Sequence, residues 1–103
     1  MIVLTTIGGG ADAAALARVL VEERLVACVN ILSGLTSVYR WQGGIEQDAE
    51  QQLVMKTTRD RVPALEARLR GLHPYDVPEF LVLDVDGGGA DYLAWLREAV
   101  TTD

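Results

Sequence analysis

The chain contains one cysteine and one histidine in 103 residues, and no apolar run long enough to cross a bilayer. A lone thiol, Cys28, cannot close an intrachain disulfide, which points to a reducing compartment and an expected cytoplasmic location. With His73 as the only imidazole and no GxSxG elbow, the sequence lacks the constellations of the common hydrolytic enzymes, and a non-enzymatic protein is expected. The opening Met1–Thr6 has no positively charged region before its apolar residues, so no signal peptide is read there. Positive charge is also scarce: nine Lys and Arg face fifteen Asp and Glu, for a net charge of -6. A phosphate backbone is repelled by such a balance, which argues against nucleic acid as a partner and mildly favours cations.

What is present is apolar. Half the residues are hydrophobic and the mean hydropathy is +0.18, enough for one compact core. The length allows a single domain, expected over 1–103.

Ile2–Ile7 is a β-branched run closed by three glycines, Gly8–Gly10, and reads as a strand and turn. The glycines precede a helix, yet neither a dinucleotide fingerprint nor a phosphate-loop lysine accompanies them. Beyond Asp12, Ala13, Leu16, Ala17 and Leu20 recur with helical spacing. Ala27–Trp41 and Ile45–Thr58 are two long β-prone stretches joined by a turn at Gln42–Gly44, with a bulge expected at Ser33–Gly34. Val62, Leu65, Leu69 and Leu72 mark a second helix, with Asp60 as its expected cap and Pro63 in its first turn. Glu79–Val85 is an expected strand, and Asp91 an expected cap for a final helix through Tyr92, Trp95, Leu96 and Val100.

The order is the split βαβ pattern of a ferredoxin-like α+β domain, βαββαβ plus a C-terminal helix, built on one antiparallel sheet. The helices cover one face of such a sheet. The hairpin arms are two to three times the usual strand length of about 5–6 residues, so part of the hairpin projects beyond a single-chain core. Unpaired edges of this kind call for closed symmetric assembly.

Several blocks together resemble the CutA family of divalent-cation-tolerance proteins: Ala27–Ile31, Ser37–Tyr39 with Trp41, Ile45–Glu46 with Asp48 and Glu50, and His73–Glu79. The resemblance runs from the first strand through the Tyr92–Trp95 helix. It implies a PII-like homotrimer assembled through the long hairpins, a role in tolerance of divalent metals, chiefly copper, and no obligatory cofactor. Two positions depart from the family's pattern: Asp76 stands where Glu is more usual, and Gly44 where Lys is common.

Thiolate and imidazole are the protein ligands that suit copper and zinc, which singles out Cys28 and His73. One chain is short of ligands, but a trimer can set Cys28 of one subunit against His73, Asp76 or Glu79 of the next. Cys28, in an apolar strand between Ala27 and Val29, also reads simply as a small buried apolar residue. His73, at a helix end before Pro74, reads equally as a cap over the last carbonyls. Pro74 and Pro78 stiffen the loop that carries Tyr75 and Asp76, which suits a binding site or a subunit contact. Tyr39 and Trp41 alternate on one sheet face and suit an interface or a pocket wall. Lys56, inside a β run, is expected to pair with a carboxylate such as Glu79 or to await an anionic ligand. The alternative to metal binding is therefore a PII-like signalling or scaffold trimer whose clefts hold a small anionic metabolite or a protein partner, with Lys56, Tyr39, Trp41 and Tyr75 lining the pocket.

Overall fold

A computed structural model describes residues 1–102; Asp103, the last residue of the expected domain, lies outside them. The elements run β1 (Ile2–Gly8), α1 (Ala13–Glu22), β2 (Cys28–Trp41), β3 (Gly44–Lys56), α2 (Val62–Leu72), β4 (Leu81–Leu83) and α3 (Ala90–Ala99), with a 3-10 turn at Arg59–Arg61 leading into α2. The four strands form one antiparallel sheet in the order β2-β3-β1-β4. This is the ferredoxin-like arrangement expected from the order of elements.

Alternation along β1 and β3 sends Val3, Ile7, Leu53 and Met55 to one face, where they meet Leu16 and Leu20 of α1 and Leu65 and Leu69 of α2. These residues form the core. The opposite face, carrying Leu4, Thr6, Gln52, Val54 and Lys56, is covered by neither helix layer and stays partly exposed. Helix α3 packs separately, with Leu96 and Val100 on Ala27, and leaves Tyr92 and Trp95 half exposed, their rings in tilted contact.

Local chemistry fixes the element ends. The Asp12 carboxylate accepts the Ala15 N–H at 3.0 Å and caps α1. At its other end Arg24 adopts φ 58°, and the Arg24 and Leu25 N–H groups bond the Val21 and Leu20 carbonyls, closing the helix in a Schellman motif. Gly34 takes φ 76° at the bulge between Leu32 and Leu35, where the sequence places it. Gln42 (φ 49°) and Gly43 (φ 82°) make the two-residue turn that joins β2 to β3.

Three expectations are corrected. Asp60 lies inside the 3-10 turn and caps nothing; Arg61 precedes α2 without a side-chain cap bond. Gly89 holds the cap position of α3, and Asp91 falls within its first turn, where its charge still complements the helix dipole. The last strand contracts to Leu81–Leu83, because β1 pairs with it only over Ile2–Leu4 and the flanking carboxylates go elsewhere. Glu79 accepts from Gln52, and Asp84 pairs with Arg59.

The hairpin dominates the shape. The molecule measures 45 × 26 × 22 Å, and the segments Leu35–Trp41 and Gly44–Glu50 pair with each other alone, except where Glu50 meets Gly8 and the Gly9 N–H bonds the Ala49 carbonyl.

Candidate functional site

The base of this projecting arm and the loop after α2 enclose a cleft of about 1030 Å³. Period two on β2 sends Ser37, Tyr39 and Trp41 to the cleft side, and period two on β3 sends Asp48 and Glu50 there. The other wall is Pro74–Glu79, with Thr6 and Gly8 of β1 beneath.

Hydrogen bonds from neutral donors hold the acids in place. The Tyr39 hydroxyl donates to Asp48, the Tyr75 hydroxyl donates to Glu50 at 2.8 Å, and the Gln52 amide donates to Glu79 at 3.1 Å. Glu50 is nine-tenths buried, with 6% exposure, although the charges around it are negative. The bond to Asp48 comes first in raising the Tyr39 phenol to about 12. Burial comes first for Tyr75, followed by its bond to Glu50, and that phenol is also raised to about 12.

His73 is built into the scaffold. Its backbone N–H closes α2 on the Leu69 carbonyl at 2.8 Å, while the ring turns away from the helix end towards β1. The Tyr75 N–H donates to Nδ1 at 3.1 Å, so the ring proton sits on Nε2 and is donated to the Thr6 carbonyl at 2.7 Å. The expected cap over the helix carbonyls is therefore replaced by a clamp between β1 and the Pro74–Glu79 loop. Both ring nitrogens have protein partners.

The expected ligands divide into two groups. Asp76 and Glu79 line the cleft beside Tyr39, Trp41 and Tyr75. Cys28 begins β2 opposite Lys56, four β3 positions beyond the Gln52 rung that faces Thr6 and the His73 clamp. That separation is about 13 Å along the strand, so Cys28 and His73 do not converge within one subunit. Among the described residues no three His, Cys, Asp or Glu side chains gather as a metal-binding group. Lys56 sits between Ile2 and Cys28 on the open sheet face, away from the cleft lining, and forms no ion pair among the described residues. Its expected pairing with Glu79 fails because Gln52 already occupies that carboxylate and the register places Lys56 further along β3.

Asp48 and Glu50 are cleft residues that residue-by-residue reading of ligand types passes over. The signal that finds them is the alternation Glu46, Asp48, Glu50, which puts three acids on one strand face.

The chain is 50% identical over 97 residues to the divalent-cation tolerance protein CutA of Thermus thermophilus, covering 94% of each. It is 46% identical over 83 residues to the human protein CutA, covering 81% of this chain and 46% of that one. The solved structure of the Thermus thermophilus divalent cation tolerance protein superimposes with a TM-score of 0.93 at 49% identity, covering 97% of each chain. A PII-like protein CutA from Nostoc sp. PCC 7120, solved in apo form, superimposes with a TM-score of 0.89 at 35% identity, covering 97% of this chain and 96% of that one. The CutA1 divalent ion tolerance protein profile matches residues 1–99, and the chain belongs to that family.

Proposed function

We propose that the protein acts as a homotrimer in tolerance of divalent cations, binding copper or a similar ion at the clefts where subunits meet. The observation that carries this reading is the charge of the cleft: Asp48, Glu50, Asp76 and Glu79 line it and, among the described residues, no basic side chain does. Carboxylates suit hard divalent ions, and a single subunit supplies too few convergent donors for a closed site. A neighbour completes the set, and it also covers the projecting hairpin, whose Val38 and Ile45 are otherwise 64% and 63% exposed. Cys28 and His73 serve as copper ligands only across a subunit boundary, and His73 must first release one of its two hydrogen bonds.

Binding rather than catalysis is the role we infer, because the one imidazole is committed to the scaffold. The unpaired thiol of Cys28 supports a reducing, cytoplasmic setting. No helix among the described residues is long and apolar enough to cross a membrane. Lys56 favours the second reading, a PII-like signalling trimer that binds an anionic metabolite, since its ammonium lacks a carboxylate partner among the described residues. Such a ligand would sit on the open sheet face, because the acidic cleft repels it.

The test is a competition titration of the assembled protein with Cu(I) and Cu(II), alongside Asp76→Asn, Cys28→Ser and His73→Ala. Whole-number stoichiometry per trimer, lost in the variants, supports the metal site. Non-stoichiometric binding indifferent to all three changes rules it out.

A further inference from the structure

The link from β4 to α3, residues 84–89, is exposed throughout and belongs to no helix or strand. It carries the one Asp-Gly pair in the chain, Asp86–Gly87. Among the described residues the Asp86 carboxylate is in no ion pair and accepts no hydrogen bond, and the Gly87 N–H donates to no backbone carbonyl. A methyl group in place of a Gly87 hydrogen would meet nothing within 4 Å, and the residue does not use the left-handed backbone that favours glycine. The pair is therefore free of packing on every side.

That freedom has a chemical consequence. An aspartyl side chain can close on the amide nitrogen of the next residue only where the backbone between them rotates and nothing crowds the nitrogen. Glycine gives the widest rotation, and a β-branched residue the least. The other described aspartates fail on one count or the other. Asp12 is tied to the Ala15 N–H at the start of α1. Asp76 precedes Val77, and Asp84 precedes Val85 and is paired with Arg59. Asp48, Asp60 and Asp91 lie within β3, the 3-10 turn and α3, where the backbone is fixed.

We propose that Asp86–Gly87 is a site of spontaneous backbone isomerisation, converting Asp86 to its isoaspartyl form through a cyclic imide. The Gly87 nitrogen bonds the Asp86 Cγ, the Cγ–OH bond breaks, and the hydroxyl leaves as water with the amide proton. Water then adds back to the ring. Addition at Cγ restores Asp86, whereas addition at the backbone carbonyl carbon breaks its bond to the Gly87 nitrogen. The chain then runs through Cγ, one methylene longer, and a free α-carboxylate remains; nothing is oxidised or reduced. That carboxylate is the group a carboxyl methyltransferase using S-adenosylmethionine can esterify. The extra methylene enters the covalent link to α3, which rests on the body only through Leu96 and Val100 on Ala27 and the Arg24 guanidinium on the Ala99 carbonyl at 3.2 Å. The inference is independent of the cleft and of what binds there.

The experiment ages the assembled wild-type protein at neutral pH and physiological temperature. Isoaspartate is read by methyl transfer from S-adenosylmethionine with a protein isoaspartyl methyltransferase. Electron-transfer fragmentation of the tryptic peptide 71–97 then places it in the chain. The expected result is methyl acceptance that grows with time and maps to residue 86, lost to the level of unaged protein in Gly87→Val. Asp86→Asn is expected to reach the same product faster, because ammonia is lost from an amide more readily than water from a carboxylate. Both variants alter exposed groups without protein partners, and their oligomeric mass and melting temperature are measured beside the wild type. Acceptance that does not grow in the wild type overturns the proposal, even if Asp86→Asn gains it. So does acceptance that maps to another aspartate or is unchanged in Gly87→Val.

Discussion

The two halves of the β2–β3 hairpin lie in opposite surroundings. In the near half, alternation is resolved by the chain's own helices: Leu53 and Met55 are fully buried against α1 and α2, while Val54 and Lys56 face the other way. In the far half no helix lies over either face, and Val38 and Ile45 are 64% and 63% exposed. The near half is explained by this chain's core; in the proposed trimer a second chain covers the far half. The cleft lies where the two regimes meet, and there Asp48, Glu50 and Glu79 accept hydrogen bonds from neutral donors.

The largest effect that separates the halves is expected from Leu53→Ala. It opens a cavity in the core and lowers folding stability by about 2–5 kcal/mol, measured by urea unfolding. In the far half, Val38→Asp with Ile45→Asp leaves the subunit's own core intact, because neither side chain belongs to it. Light scattering is expected to show loss of the trimer while circular dichroism keeps its mixed α and β signal. An unchanged trimer would break the comparison.

At the junction, Tyr75→Phe removes the donor to the buried Glu50 carboxylate, for a loss of about 1–3 kcal/mol in the same unfolding assay. The smallest effect is in pH dependence. Tyr39 and Tyr75 hold their protons to about 12 in the folded chain, above the ordinary phenol value of 10.0. A raised folded value means that their contribution is complete below about pH 10 and is lost as pH rises through about 12. Tyrosinate absorbance should therefore show two late phenols, with Asp48→Asn lowering that of Tyr39 and Glu50→Gln that of Tyr75.

Where a periodic signal existed, the sequence was readable. The Ala13–Leu20 spacing, the Ser33–Gly34 bulge, the Gln42–Gly43 turn and the long hairpin arms all stand as the pattern indicates. The failures lie where several partners compete for one group. Asp60 and Asp91 have the right chemistry for caps, but the chain enters α2 through a 3-10 turn and α3 two residues earlier than the charge suggests. Glu79 can satisfy Lys56 or Gln52, and only the register on β3 decides for Gln52. The imidazole of His73 can cap its helix or cross to β1; the stiff Pro74 turn and the Tyr75 N–H take it to Thr6. For the site, Asp76 and Glu79 were expected as metal ligands and Tyr39, Trp41 and Tyr75 as pocket lining in the alternative reading, and these five residues line one cleft. Cys28 and Lys56 were chosen for chemistry alone, and strand register places both at the far end of the sheet from the cleft.

The claim on which the rest depends is that other copies of this chain cover the far hairpin and complete the cleft. The most direct measurement is the mass of the purified, tag-free protein in solution by light scattering over a range of concentrations. A constant mass of three times 11.2 kDa is the expected result, and a constant mass of 11.2 kDa would contradict it.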